Sequence, residues 1–186
     1  SDPQFEKEWP FDGYAIRSSN GKCFVEPKKI FLSNLASIPP PNWNIPGLEE
    51  HVLKYPDTRF PFMATRGCPM QCSFCNTDQQ WGKRVRTRTV QHVVDELKQA
   101  YDQFHIKNFH CVDDNILVQH KWALDLFREI SNQLSKDINI SFSNFDLRFL
   151  KDEILDALKD IGVKQITIAT ETGTETNQRR ISKYLK

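Results

Sequence analysis

Residues 60–76 read FPFMATRGCPMQCSFCN. Phe60 to Thr65 is a short, mostly apolar run that predicts a β-strand. It runs directly into a loop carrying Cys68, Cys72 and Cys75, spaced Cys-x3-Cys-x2-Cys. Thiolates are soft ligands suited to iron–sulfur clusters or to zinc. A cubane cluster has four irons, so three cysteines leave one iron open to a small molecule. Structural zinc instead wants four closed ligands. No cysteine or histidine follows Cys75 until His92, so a zinc knuckle would need a distant fourth ligand.

Beyond that loop the pattern alternates. Thr89 is a plausible N-cap for a helix over 90–104, with Val90, Val93, Val94 and Leu97 on one face. Lys107 to Asp113 predicts a second strand. His120 to Leu134 predicts a helix with Trp122, Leu124, Leu126, Phe127, Ile130 and Leu134 on its apolar face. A third strand is predicted over 138–142. A helix over 152–161 follows, stopped by Gly162. The fourth strand is predicted over 163–169, and a fourth helix starts near Thr174.

Four β/α units in succession predict an α/β fold with a parallel sheet, its strands adjacent in chain order. Such sheets bind ligands at the carboxyl ends of their strands. The three cysteines, the pair Asp113 and Asp114, and Glu171 all fall on that rim. Ser143 and Asn144, at the end of the third strand, are weaker candidates there.

Upstream, two β-prone runs, 14–17 and 22–26, flank Ser19-Asn20-Gly21, a hairpin signal. Residues 37–47 hold four prolines and predict an extended connector anchored by Trp43. The expected organisation is a hairpin and connector over 1–59 and the barrel segment over 60–186.

The chain has 186 residues, with 25 Lys and Arg against 24 Asp and Glu. That balance exerts no general pull toward nucleic acid or an acidic membrane. No apolar run approaches the roughly 18 residues of a membrane span. A cytoplasmic protein is expected. The run Lys83, Arg84, Arg86, Arg88 is expected to be a solvated loop leading into a helix. Five cysteines, three of them bunched, argue against a disulfide framework. Cys111 is expected to be a buried apolar residue and Cys23 to lie apart on the hairpin.

RGCPMQCSFC (66–75) resembles the cluster loop of radical S-adenosylmethionine (SAM) enzymes. WGKRVRTRTVQHVVDEL (81–97), IKNFHCVDDNILV (106–118) and the long stretch from Leu147 to Lys183 resemble the branch that usually carries an N-terminal cobalamin-binding domain. The hairpin and IPPPNW (38–43) resemble the connector from that domain into the barrel. The resemblance implies a partial (β/α) TIM-like barrel, here truncated to about four β/α units. It implies a [4Fe-4S] cluster on Cys68, Cys72 and Cys75, with SAM on the fourth iron. Reductive cleavage of SAM would give a 5′-deoxyadenosyl radical.

Phe74 would pack on the adenine. Asp113 and Asp114 would serve the methionine amino group, and Glu171 the ribose hydroxyls or that amine. The resemblance also implies an electron donor such as flavodoxin or ferredoxin. Methyl transfer with cobalamin, through a domain this chain lacks, would fit that branch.

The family's whole barrel has six β/α units, so either a fragment of a longer protein or a degenerate remnant is implied; a fragment is expected, with the far edge of the fourth strand covered in its native setting. Two alternatives stay open. A tRNA methylthiotransferase shares the spacing but needs further cysteines, and only Cys23 and Cys111 remain. A zinc-stabilised binding module is the other. The substrate is not legible.

Overall fold

The computed structural model describes residues 14–17, 20–26 and 31–183. Two compact units result, divided between Ser33 and Asn34. The first contains β1 (Tyr14–Arg17) and β2 (Cys23–Glu26), an antiparallel hairpin. Gly21 sits between them at φ +82°, a left-handed angle that glycine adopts without Cβ strain.

The second unit is an α/β layer structure. Its sheet has the order β3 (Phe60–Phe62), β6 (Asn108–Cys111), β7 (Asn139–Phe145), β8 (Ile166–Ile168), all parallel. The strands thus lie adjacent in chain order, as the alternating pattern predicts. Three helices make the crossovers: α3 (Val90–Phe104), α4 (His120–Gln133) and α5 (Asp152–Asp160). Thr89 caps α3, accepting from the His92 N–H at 3.2 Å.

The helices bury one stripe each against the sheet. Val93, Val94, Leu97 and Ala100 of α3 are fully buried, as are Ala123, Leu126 and Phe127 of α4 and Ile154 of α5. Phe109 and Cys111 alternate out of β6 onto the same side. Phe142 is the aromatic centre, edge-on to Phe127 at 5.4 Å and stacked with Phe145 at 5.5 Å. Removing the ring of Phe127 would cost about 3–5 kcal/mol in lost burial and cavity formation.

Four local features depart from the expectations. The first strand ends at Phe62, and its continuation turns away as β4 (Thr65–Arg66), paired antiparallel with β5 (Arg86–Thr87). A short helix α2 (Thr77–Trp81) follows the cysteines. A helix α1 (Leu48–Lys54) follows the proline-rich stretch where none was expected, and its Leu48 joins Trp43 in the core. Trp43 is the expected anchor, edge-on to Phe60 at 6.1 Å. The third strand runs on to Phe145 and so carries Ser143 and Asn144.

The basic run is only partly solvated. Arg86 is buried and Arg88 half-buried, and Arg88 Nη2 lies 2.6 Å from Glu96 Oε2 on α3. That contact is an ion pair rather than an aligned hydrogen bond. Arg88 also donates to the carbonyls of Met63 and His92. The guanidinium therefore clamps the end of β3 to the start of α3. Among the described residues no helix is long and apolar enough to cross a membrane.

Candidate cofactor-binding site

The cysteine loop hangs from the β4–β5 ribbon, and glycine makes that attachment possible. Gly67 has φ +94°, and a Cβ there would stand 2.4 Å from the Arg84 carbonyl oxygen and 2.9 Å from that of Gly82. No side chain fits between those backbones. The Cys68 N–H donates to the Gly82 carbonyl at 3.3 Å, and the Cys75 N–H to the Cys72 carbonyl at 3.0 Å. Arg66 lies over the Trp81 ring, 4.7 Å from its centroid, fastening α2 to the ribbon.

Cys68 and Cys72 are half-buried and Cys75 is exposed. Burial pushes the Cys68 thiol up, and Asp114 and the thiols of Cys72 and Cys75 push the same way against a backbone bond from Met70. Cys72 and Cys75 thus both lie within electrostatic reach of Cys68. Among the described residues, no three His, Cys, Asp or Glu side chains are arranged to hold a single metal ion. A cubane asks for something different, because its irons sit at separate corners and each thiolate reaches one. Three soft donors on one short loop fit that requirement.

Asp113 and Asp114 separate into two roles. Asp113 is 3% exposed, and its Oδ1 accepts the Ala64 N–H at 2.8 Å, tying the end of β6 to the end of β3. Burial pushes its carboxyl up to about 6, against Ala64, Thr65 and the Arg66 charge. Its Oδ2 is buried without a hydrogen-bond partner. Asp114 is half-buried and turned to the loop, where its Oδ1 accepts from Thr77 Oγ1 at 3.2 Å. Burial raises its carboxyl, opposed by Thr77 and Arg66.

Phe74 projects into solvent, 56% exposed, on the loop. Lys183 Nζ lies 6.0 Å from its ring centroid. Glu171 follows β8 and adopts φ +62°, a left-handed angle unusual for a non-glycine residue. Such local strain clusters at functional sites. The Glu171 carboxylate pairs with Lys183 at 2.9 Å. Ser143 is half-buried on β7.

Two neighbours of the loop escaped the sequence reading. Lys183 is one, and Arg148 is the other. Arg148 is held by Asp146, and that bond, more than its nearness to Cys72, raises the guanidinium. Burial works against the charge of Asp146, but the Arg148 bonds outweigh it and keep the carboxyl low. For Arg148 the available signal was a basic residue three positions past the end of β7; Lys183 follows α6 and carried none. Cys23 is exposed on the hairpin, and Cys111 is buried in β6 with its thiol pushed well up by burial.

Residues 63–185 match the model of the Radical SAM superfamily. This chain belongs to the radical SAM superfamily. Among the relatives of this radical SAM chain, cytidylyl-2-hydroxyethylphosphonate methyltransferase of Streptomyces wedmorensis is 35% identical over 114 residues, 60% of this chain and 20% of that protein. Bacteriochlorophyllide d C-12(1)-methyltransferase of Chlorobaculum tepidum is 28% identical over 172 residues, 91% of this chain and 36% of that protein.

The chain therefore spans about a fifth to a third of the length of these two relatives. The structure of OxsB, a cobalamin-dependent SAM radical enzyme solved with aqua-cobalamin and SAM bound, superposes with a TM-score of 0.66. At 18% identity it covers 97% of this chain and 27% of OxsB, a likeness that shows the fold. A radical SAM partial barrel is thus the architecture.

Proposed function

We propose that this radical SAM segment belongs to a cobalamin-dependent methyltransferase. The reading is carried by the three-cysteine loop at the carboxyl rim of a parallel sheet, with Asp114 and Glu171 beside it. It is supported by the methyltransferase relatives, which are named for methyl transfer to a phosphonate and to a bacteriochlorophyllide. Cobalamin would be held outside this sheet, and further barrel strands would cover the edge of β8 that is unpaired among the described residues.

In this reading Cys68, Cys72 and Cys75 each take one iron of a [4Fe-4S] cluster. Bound there, the cluster would supply reducing chemistry to SAM, with the electron coming from a flavodoxin- or ferredoxin-like donor. The chain's own residues do the holding. Phe74 offers an exposed ring for the adenine to stack on. Asp114 and Glu171 offer carboxylates to the methionine ammonium and the ribose hydroxyls, with Ser143 as a neutral partner on the same rim. Asp113 acts behind them by joining two strand ends. A cytoplasmic setting suits such oxygen-sensitive chemistry.

The test is anaerobic reconstitution followed by metal and sulfide analysis. About four irons and four sulfides per chain, with SAM-dependent product formation, supports the reading. One zinc per chain and no sulfide overturns it.

A further inference from the structure

Thr77 joins the third cysteine of the loop to the end of a neighbouring strand. Its Oγ1 lies 3.1 Å from Cys75 Sγ and 3.2 Å from Asp114 Oδ1. Thr77 is buried and is the first residue of α2. The backbone places Asn76, not Thr77, at the helix cap position, so the Thr77 hydroxyl is not occupied in capping. Sequence reading passed this residue over, because a threonine after a cysteine motif carries no pattern of its own.

A hydroxyl has one proton to donate and two lone pairs. While Cys75 is a thiol, donation runs one way: S–H to hydroxyl, and hydroxyl to carboxylate. A cysteine that binds iron does so as a thiolate and can only accept. The Cys75 sulfur and the Asp114 carboxylate would then share a single O–H. The oxygen already stands at hydrogen-bond distance from both, so only the proton has to turn.

We propose that Thr77 is a positioning residue for the cluster ligand Cys75, donating its hydroxyl to the thiolate, with Asp114 as the competing acceptor. This inference rests on the cluster reading above. Hydrogen bonds to ligating sulfurs tune a cluster's potential. They favour the reduced state, which carries the more negative charge. Thr77 therefore shifts the potential up, and Asp114 reduces that shift by drawing the proton away.

The test is the midpoint potential and iron content of the full-length protein after reconstitution, in wild type, T77V and T77S. The same pair of Thr77 substitutions is made in a D114A background. With full iron, T77V moves to a more negative potential and T77S stays at wild type. In D114A the shift caused by T77V grows, because the hydroxyl no longer divides its proton. Loss of iron in T77V with retention in T77S supports the same role.

A T77V protein with full iron and a wild-type potential in both backgrounds overturns the Thr77 assignment alone. Loss of iron in both T77V and T77S also overturns it, because serine keeps the hydroxyl. A wild-type protein that takes up no cluster sinks the parent reading and this one with it.

Discussion

Lys183 Nζ lies 2.9 Å from Glu171 Oε1, twelve residues back along the chain, and sits above the Phe74 ring. The lysine is 6% exposed, and two residues before it the Ile181 carbonyl accepts the Ser73 N–H at 3.0 Å. The segment after α6 (Glu175–Arg180) thus closes against the cysteine loop. Lys183→Met keeps an apolar stem and removes the cation. Because Glu171 is about a third exposed, the pair contributes only about 1 kcal/mol. Urea unfolding should show that loss, and hydrogen exchange should be faster at the Ser73 amide. Lys183→Arg should leave both near wild type.

Gly67→Ala should be far more damaging than an ordinary loop substitution. The new Cβ would meet the carbonyl oxygens of Gly82 and Arg84 in the facing segment at a left-handed backbone angle. Strain of this kind costs about 1–3 kcal/mol before the clash is added. The expected outcome is a lower melting temperature and weaker iron retention together. An alanine variant that melts and loads like wild type would mean that the ribbon does not hold the loop.

Iron content should separate the five cysteines. Cys72→Ala, like the corresponding changes at Cys68 and Cys75, should abolish the broad absorbance of the reconstituted cluster. Cys23→Ser should leave iron unchanged. Cys111→Ser should also keep iron, but should cost about 1–3 kcal/mol by placing a hydroxyl in the core. Iron loss in the Cys23 variant would count against a three-cysteine site.

Asp113 should make stability depend on pH. Its carboxyl is raised by burial from 3.8 in the unfolded chain to about 6 in the fold. Between those values the folded state holds more protons than the unfolded chain. Stability therefore falls as pH rises from about 4 to about 6, by up to about 3 kcal/mol, and is flat above. Asp113→Asn keeps an acceptor for the Ala64 N–H and removes the titration. Its unfolding free energy relative to wild type should rise between pH 4 and pH 7. A constant difference across that range would refute the buried, raised carboxyl.

Arg88→Met should destabilise the fold by about 3–5 kcal/mol, because Glu96 would be left as a buried, unpaired charge. The double variant Arg88→Met with Glu96→Leu should recover most of that loss in urea unfolding. Failure to recover it would show that the two carbonyl bonds of Arg88, and not the ion pair, are what matters.

Sequence by itself determined the periodic parts of this protein. The apolar spacing of 90–104 and 120–134 specified which helix faces pack on the sheet, since burial is read directly from period. The four alternating units specified a parallel sheet in chain order, and the spacing of Cys68, Cys72 and Cys75 marked them as candidate ligands. Tertiary structure alone decided the rest. The β4–β5 ribbon is two residues per strand, too short to leave a pattern. Arg86 and Arg88 look like solvent-facing charges until the carbonyls and Glu96 that receive them are in place. Asp113 and Asp114 are chemically identical neighbours, and only their opposite directions at the end of β6 make one a buried strut and the other a partner of Thr77. Lys183 was invisible as a site residue for the same reason: its partners, Glu171 and Phe74, are distant in the chain, and folding alone brings them together.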